Sequence, residues 1–258
     1  MLFLLSPAKT LDYESPAGDL PHTEPQFLDQ SARLIDTLRK KSPRQIGKLM
    51  DISDALAELN AGRYQAWSPQ FTAKNSRQAF LAFDGDVYDG VQARTLKLAD
   101  LAWAQDHVAI LSGLYGVLRP LDRMQPYRLE MGTPLALGKA RNLYQFWGSQ
   151  IAEHLNRRLA ADRTPVVVNL ASQEYFKSVD TAVLKARVIE CVFEDWKNGG
   201  YKVISFFAKK ARGLMARHAI MRRIETPEQL KGFDLDGYAF DAAASRPERM
   251  VFRRKTGT

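Results

Sequence analysis

Polar side chains follow three short apolar runs of the chain. The runs occupy residues 1–5, 107–111 and 165–168 and predict buried strands. Ligands bind at the carboxyl edge of open α/β sheets, so neighbouring strands would bring these side chains into one crevice. The candidates for this crevice are Lys9, Ser112, Tyr115, Arg119, Arg128, Asn169, Ser172, Tyr175 and Lys177.

Some of these candidates point to an anionic ligand. Ser172 could cap a following helix, whose free N–H groups favour an anion. Arg119 and Arg128 lie in the long segment 116–132, where guanidinium groups could bind phosphate through paired hydrogen bonds. The alternative is that the strand ends are ordinary turns and caps and that the arginines are solvated loop charges.

The same crevice suggests an enzyme that acts on a nucleobase or nucleotide. A flipped base could stack on Tyr115 or Tyr175 and form hydrogen bonds with Asn169 or Ser172. The catalytic candidates are Lys9, Asp84 and Glu130: a buried lysine can act as a nucleophile, and a carboxylate can activate water.

The sequence predicts no metal site and no cofactor. Asp84, Asp86 and Asp89 begin like a calcium-binding loop, but the twelfth position is Thr95 rather than glutamate. Asp84 and Asp86 therefore fit a turn, with carboxylates that could face the crevice. Cys191 is the only cysteine, and the four histidines are isolated: His22, His107, His154 and His218.

Positive charge is the main indication of a nucleic-acid partner. Lysine and arginine total 37 against 29 acidic residues, so the formal net charge is +8. A basic balance favours polyanionic partners such as nucleic acid. Lys209, Lys210 and Arg212 lie in segment 205–223, which contains no acidic residue, and we include them among the candidate DNA contacts.

Residues 42–63 predict two short helices joined by a tight turn. Ser42 can cap the first helix and Ser53 the second. Such a turn can offer backbone N–H groups to one phosphate, with added charge from Arg44, Lys48 and Arg63; together with Ser53 these are the candidate DNA contacts of the element. Phosphate contacts carry no base sequence information. The alternative is an ordinary helical hairpin packed on the core, since the turn lacks the glycines that such phosphate-binding hairpins usually have.

The predicted fold class is α/β to α+β, a single compact domain over 1–258 with a mixed sheet and the inserted helix-hairpin-helix-like element at about 42–63. Asn198-Gly199-Gly200 predicts a hairpin between strands at 188–193 and 201–207. The remaining predictions are helices at 27–40, 78–83, 142–161 and 208–223, a strand pair at 238–240 and 250–252, and mostly loop over 116–132.

Location is predicted to be cytoplasmic. The apolar run at 1–5 is far shorter than the roughly 20 residues of a membrane helix. It has no preceding positive charge and no cleavage site, so it does not resemble a signal peptide. A single cysteine cannot form an internal disulfide. We therefore expect no membrane association.

Seven blocks of the chain, in this order, resemble the YaaA family, which is named for peroxide stress resistance in bacteria. The resemblance covers nearly the whole chain and is loosest at 14–24 and after residue 241. The blocks are SPAKT at 6–10, FDGDVY at 83–88, LSGLYGVLRPLD at 111–122, MQPYRLEMG at 124–132, LYQFWG at 143–148, NLAS at 169–172 with EYFK at 174–177, and KKARGLM at 209–215.

This resemblance implies a cytoplasmic bacterial protein that binds DNA. It implies one compact α/β domain, a helix-hairpin-helix-like element and a positively charged cleft, in a layout like that of DNA glycosylases. It also implies a role in limiting free iron and oxidative damage, with no agreed catalytic residues to transfer. The positions that match the helical element are Pro43, Ile46, Leu49, Met50, Ile52, Ser53 and Leu56.

Three functional hypotheses follow. The leading one is a DNA-binding protein of the peroxide stress response, with double-stranded or structured DNA as partner and no obvious protein partner. The alternative is a glycosylase-like enzyme in the crevice. Direct iron storage is disfavoured because the histidines are scattered, only one thiol is present and the net charge is positive; an effect on iron would then be indirect.

Overall fold

A computed structural model describes residues 1–255. Its strands are β1 (Leu2–Leu5), β2 (Thr10–Leu11), β3 (Arg77–Gln78), β4 (Phe83–Asp84), β5 (Val108–Ser112), β6 (Gly116–Leu118), β7 (Arg123–Met124), β8 (Val166–Asn169), β9 (Arg187–Lys197), β10 (Gly200–Lys202), β11 (Ala239–Phe240) and β12 (Arg249–Arg254). Its α-helices are α1 (Leu28–Arg39), α2 (Pro43–Met50), α3 (Asp54–Ala66), α4 (Ala79–Ala82), α5 (Asp86–Val91), α6 (Leu98–His107), α7 (Leu143–Trp147), α8 (Gln150–Arg158), α9 (Gln173–Phe176), α10 (Ser205–Arg222) and α11 (Pro227–Leu230).

The main sheet is mixed, as predicted. Its strand order is β11-β12-β9-β8-β1-β5-β6, and β10 pairs with the far end of β9. The five central strands from β12 to β5 run parallel, while β11, β6 and β10 pair antiparallel at the margins. Because β1 lies between β8 and β5, the three apolar runs of the sequence are indeed neighbours.

The central strands are apolar because both faces of the sheet are covered. Every residue of β1, β5 and β8 is buried, which is typical of parallel strands with helices on both sides. One hydrophobic cluster extends from Leu2 to Phe252 and includes the buried faces of α1, α8 and α10. These layers fix the positions of the strand ends.

Two predicted elements are wrong in extent. The single helix predicted at 142–161 is two helices, because the chain turns at Gly148, which has a φ of +48°. The strand predicted at 201–207 ends at Lys202, and Ser205 begins α10. That apolar stretch is too short for periodicity to separate a strand from a helix.

The helices α5 and α10 cross with their backbones in contact. A methyl group added at Gly213 would lie 1.8 Å from the carbonyl oxygen of Val87, and one at Gly90 would lie 2.3 Å from that of Lys210. Real Cβ atoms do not approach other atoms this closely. The two helices can therefore cross at this distance only with glycine at both positions. The crossing in turn fixes where α10 lies relative to the sheet.

We expect Gly213→Ala to destabilise the protein by at least about 1–3 kcal/mol, because overpacking forces backbone shifts. Equilibrium unfolding in urea measures the change. Gly62→Ala is the matched control: Gly62 lies inside α3 with no atom within 4 Å of the added methyl group, and the substitution should stabilise by up to about 1 kcal/mol. Equal stabilities of the two variants would contradict the proposed role of the crossing.

Candidate functional site

A cavity of about 430 Å³ lies at the carboxyl edge of the sheet, where the sequence placed the crevice. The segment after β1 and the start of α9 form one side, and α10 lies opposite them. The lining residues are Ser6, Pro7, Ala8, Lys9, Thr10, Asp84, Gly85, Asp86, Val87, Glu130, Ser172, Glu174, Tyr175, Lys209 and Arg212. Lys9, Asp84, Glu130, Ser172 and Tyr175 from the sequence predictions are thus brought together.

Ser6 connects the ends of β1 and β8. Its hydroxyl oxygen accepts a hydrogen bond from the backbone N–H of Ser172 at 2.9 Å. Its carbonyl oxygen accepts one from the hydroxyl of Tyr88 on α5 at 3.0 Å. The Ser172 hydroxyl caps α9 by accepting from the N–H of Tyr175. Ser6 therefore helps to fix three walls of the cavity, although the sequence analysis did not select it.

Glu130 holds two cations at the cavity wall. One carboxylate oxygen, Oε1, lies 3.1 Å from Nζ of Lys9 and accepts a hydrogen bond from Nη2 of Arg128 at 2.9 Å. The Nε atom of Arg128 is buried and has no hydrogen-bond partner among the described residues. The Lys9 side chain is 68 % exposed, so the burial that a lysine nucleophile requires is not present.

The opposite wall of the cavity carries two cations from α10. Nζ of Lys209 lies 3.8 Å from the carboxylate of Asp86. Arg212 is half-buried, and its guanidinium makes no ion pair or side-chain hydrogen bond within residues 1–255. Burial lowers the pKa of Arg212 from its ordinary value, because removal from water disfavours the charged form. An anion entering the cavity would meet this guanidinium.

Ser112 and Tyr115, predicted as ligand contacts, do not line the cavity. Both are fully buried. The Ser112 hydroxyl bonds with the Tyr127 hydroxyl at 2.6 Å, and the Tyr115 hydroxyl accepts a hydrogen bond from the indole N–H of Trp67 at 3.1 Å. Burial raises the pKa of both Tyr115 and Tyr127. Their role is to anchor the loop that carries Arg128 and Glu130.

Three other predicted contacts have local partners and do not line the cavity. Nε of Arg119 lies 3.2 Å from the carboxylate of Asp122 in the same turn. Oδ1 of Asn169 accepts a hydrogen bond from the N–H of Ala171 at 2.9 Å. Nζ of Lys177 lies 5.0 Å above the ring of Tyr144. Sequence position alone could not distinguish these local partners from ligand contacts.

The predicted helix pair is present as α2 and α3. Ser42 and Gln45 form a capping box at the start of α2, and Ser53 caps α3. Arg44 and Lys48 are exposed one turn apart on α2. Arg63 is different: it is half-buried, and it lies ten residues beyond Ser53, about 15 Å along α3. The structure therefore does not bring Arg63 to the turn.

The structure also adds a carboxylate to the cavity that the sequence analysis missed. Oε1 of Glu174 accepts a hydrogen bond from the N–H of Gly132 at 3.0 Å and joins α9 to the loop before it. The available signal was its position two residues after Ser172, at the polar end of β8. No group of three or more His, Cys, Asp or Glu side chains suited to a metal ion occurs within the described residues.

Comparison with known proteins agrees with the block pattern of the sequence. The family model described as "Peroxide stress protein YaaA" matches residues 1–244. The chain belongs to the YaaA family. Within residues 1–255 of this YaaA family member, every helix is too short or too polar to cross a lipid bilayer.

Full-length relatives of this YaaA family member are named UPF0246 proteins. The one from Paracidovorax citrulli is 72 % identical over 256 residues, which cover 99 % of each chain. The one from Albidiferax ferrireducens is 66 % identical over 255 residues, covering 99 % of this chain and 98 % of its own. The one from Polaromonas naphthalenivorans is 65 % identical over 257 residues, covering both chains fully.

We expect Arg212→Met to stabilise the ligand-free YaaA protein, by about 1 kcal/mol, because a half-buried guanidinium without a partner is replaced by an apolar side chain of similar length. Urea unfolding at neutral pH measures this change. Arg254→Met is the contrasting control: Arg254 is buried and pairs with Asp195 at 2.6 Å, and its loss should cost about 3–5 kcal/mol. Destabilisation by Arg212→Met would show that the guanidinium supports the fold and is not held available for a ligand.

Proposed function

We propose that this protein binds DNA in the bacterial cytoplasm and thereby limits oxidative damage during peroxide stress, with an indirect effect on free iron. The family membership supports the stress response. The observation that carries DNA binding is an uncompensated basic strip at the start of the helix pair. The strip consists of Lys40, Lys41, Arg44 and Lys48.

No carboxylate oxygen of the described residues lies within 4.0 Å of any cation of this strip. The nearby Arg39 is not part of it, because Arg39 pairs with Asp36 at 3.5 Å and donates to the backbone carbonyl of Tyr64. Lys40, Arg44 and Lys48 are exposed and Lys41 is half-buried. Exposed cations without acidic partners are available to phosphates, which supply most of the sequence-independent affinity for DNA.

The turn between α2 and α3 fixes the position of the start of α3 next to the strip. Asp51 ends α2 in the left-handed conformation with a φ of +52°, and Ser53 caps α3. The first N–H groups of α3 therefore point away from the helix, towards solvent. Asp51 and Asp54 are exposed beside these N–H groups, and their negative charge repels a phosphate. Arg44 and Lys48 therefore provide the main electrostatic attraction for DNA in this proposal.

A direct contact connects the helix pair with the cavity. The hydroxyl of Tyr64 on α3 donates a hydrogen bond to the backbone carbonyl of Arg128, whose side chain binds Glu130. The same tyrosine lies 3.9 Å from the sulfur of Met50 at the end of α2. DNA on the helix pair would thus contact an element that is continuous with the cavity wall.

We expect fluorescence anisotropy with labelled duplex DNA to show strong salt dependence. The logarithm of the association constant should fall with the logarithm of salt by about 0.9 for each phosphate neutralised. The double variant Arg44→Ala/Lys48→Ala should weaken binding and make this slope shallower by about 2, since each cation contributes about one unit.

The double variant Lys139→Ala/Arg141→Ala removes the same charge from an exposed loop outside the strip and should leave the slope unchanged. Wild-type binding that is insensitive to salt would reject the proposal. Equal loss in both double variants would assign binding to net charge alone and would remove the special role of the strip.

A second candidate function is glycosylase-like: hydrolysis in the cavity of the bond that joins a nucleobase to its sugar. The observation in its favour is the position of Glu130, which lines the cavity with one carboxylate oxygen bound to Lys9 and Arg128. In this role its other oxygen, Oε2, would accept a proton from water as the water attacks the sugar carbon, while the base leaves. Lys9 would orient Glu130 rather than act as the nucleophile.

Incubation with oligonucleotides that contain damaged bases, followed by chromatography of released bases, tests this second candidate. We expect release that falls about 100-fold or more in Glu130→Gln. Glu58→Gln, an exposed carboxylate on α3, should be unaffected. Absence of released base across the panel would reject an enzyme of this type.

A further inference from the structure

The first turn of α10 exposes aromatic rings that the fold does not cover. Phe206 is 58 % exposed and Phe207 is 38 % exposed, and Val203 just before the helix is 52 % exposed. We call these three residues the aromatic patch. None of them was singled out by the sequence analysis, because residues 201–207 were expected to form a strand.

The guanidinium of Arg254 packs against the aromatic patch and holds it in place. The guanidinium of Arg254 lies 4.8 Å from the ring centre of Phe207 and 4.5 Å from that of Tyr238. Arg254 is itself fixed by the carboxylates of Asp195 and Asp236. The rings of Phe206 and Phe207 lie 5.7 Å apart at an angle of 63°. Phe206 is therefore the outer ring of a supported pair.

The size of the aromatic patch limits what it can bind. Farther along α10, Ala211, Met215 and Ala219 are all buried, and the exposed Met221 lies at the other end of the helix, so α10 presents no continuous apolar face to solvent. A helix that binds a membrane surface or a partner helix needs an apolar face over several turns. A single exposed ring held in place by its neighbours is large enough to stack one or two planar bases.

Positive charge surrounds the aromatic patch. Lys202 is exposed and has no carboxylate within 4.0 Å among the described residues. Lys209 and Lys210 follow Phe206 by one helical turn, and their nearest carboxylates lie at 3.8 and 3.7 Å. Lys209 also lines the cavity, so the patch adjoins the cavity rim. Cations beside an exposed ring are the combination that binds unpaired nucleotides.

We propose that the aromatic patch stacks an unpaired base of DNA, with Phe206 as the stacking ring and Lys202 and Lys209 contacting the flanking phosphates. This proposal rests on DNA binding and adds to it a preference for strands with unpaired bases. The basic strip on α2 contacts duplex, and the aromatic patch contacts the unpaired segment. Stacking is largely independent of base identity, because every base has an aromatic face.

The experiment compares labelled oligothymidine with a labelled duplex of the same length in fluorescence anisotropy at one salt concentration. Phe206→Ala should weaken oligothymidine binding about tenfold and leave duplex binding within about twofold, as expected for the loss of one stacked base. Phe206→Trp should retain or strengthen oligothymidine binding. Met221→Ala is the matched control, because Met221 is 49 % exposed at the other end of the same helix.

Unchanged oligothymidine binding in Phe206→Ala would overturn stacking while leaving duplex binding intact. Duplex binding that fails in wild type while oligothymidine binding depends on Phe206 would reject the role of the basic strip and support the patch. A wild-type protein that binds neither DNA would overturn both proposals. Self-association that Phe206→Ala abolishes in analytical ultracentrifugation, or vesicle binding that it abolishes, would assign the patch to a second copy or to a lipid surface instead.

Discussion

The close approach of α5 and α10 is the constraint on which the candidate site depends. Without a side chain at Gly90 and Gly213, the two helix backbones meet directly. That contact places Lys209 and Arg212 over the carboxyl edge of the sheet and places Asp86, the first residue of α5, opposite them. Larger residues at the crossing would raise α10 and widen the cavity. The architecture of the site is thus set by steric exclusion as much as by attraction.

The charges of the cavity are arranged unequally. On one wall Glu130 compensates Lys9 and Arg128, whereas on the other Arg212 has no carboxylate oxygen of the described residues within 4.0 Å and interacts with Glu190 only at longer range. A lining that contains both cations and carboxylates fits a small polar ligand better than it fits a polyanion, which would bind a uniformly basic groove. The basic strip shows the opposite arrangement, because none of its four cations has a carboxylate oxygen of the described residues within 4.0 Å. The protein therefore presents two electrostatic environments: a surface strip of cations without acidic partners, and a cavity in which cations and carboxylates face each other.

The sequence predicted the parts of this arrangement that depend on local patterns. The buried strands were visible as apolar runs, and the capped helices α2 and α3 followed from Ser42, Pro43 and Ser53. The orientation of side chains after the strands was not predictable, because it depends on distant partners. Tyr115 turns inward to Trp67 and Gln125, which lie elsewhere in the chain. The start of α10 was not predictable either, because a short aromatic stretch has no periodicity that separates a strand from a helix.

The hydrogen bond from Tyr64 to the carbonyl of Arg128 gives the molecule a route for thermodynamic coupling. It joins a helix that would contact DNA to the loop that holds Glu130. If occupancy of the helix pair shifts that loop, the affinity of the cavity for its ligand changes by some factor. Reciprocity then requires a ligand in the cavity to change the affinity for DNA by the same factor. Under the proposed DNA binding, a small molecule bound in the cavity would change how long the protein stays on DNA without contacting the DNA itself.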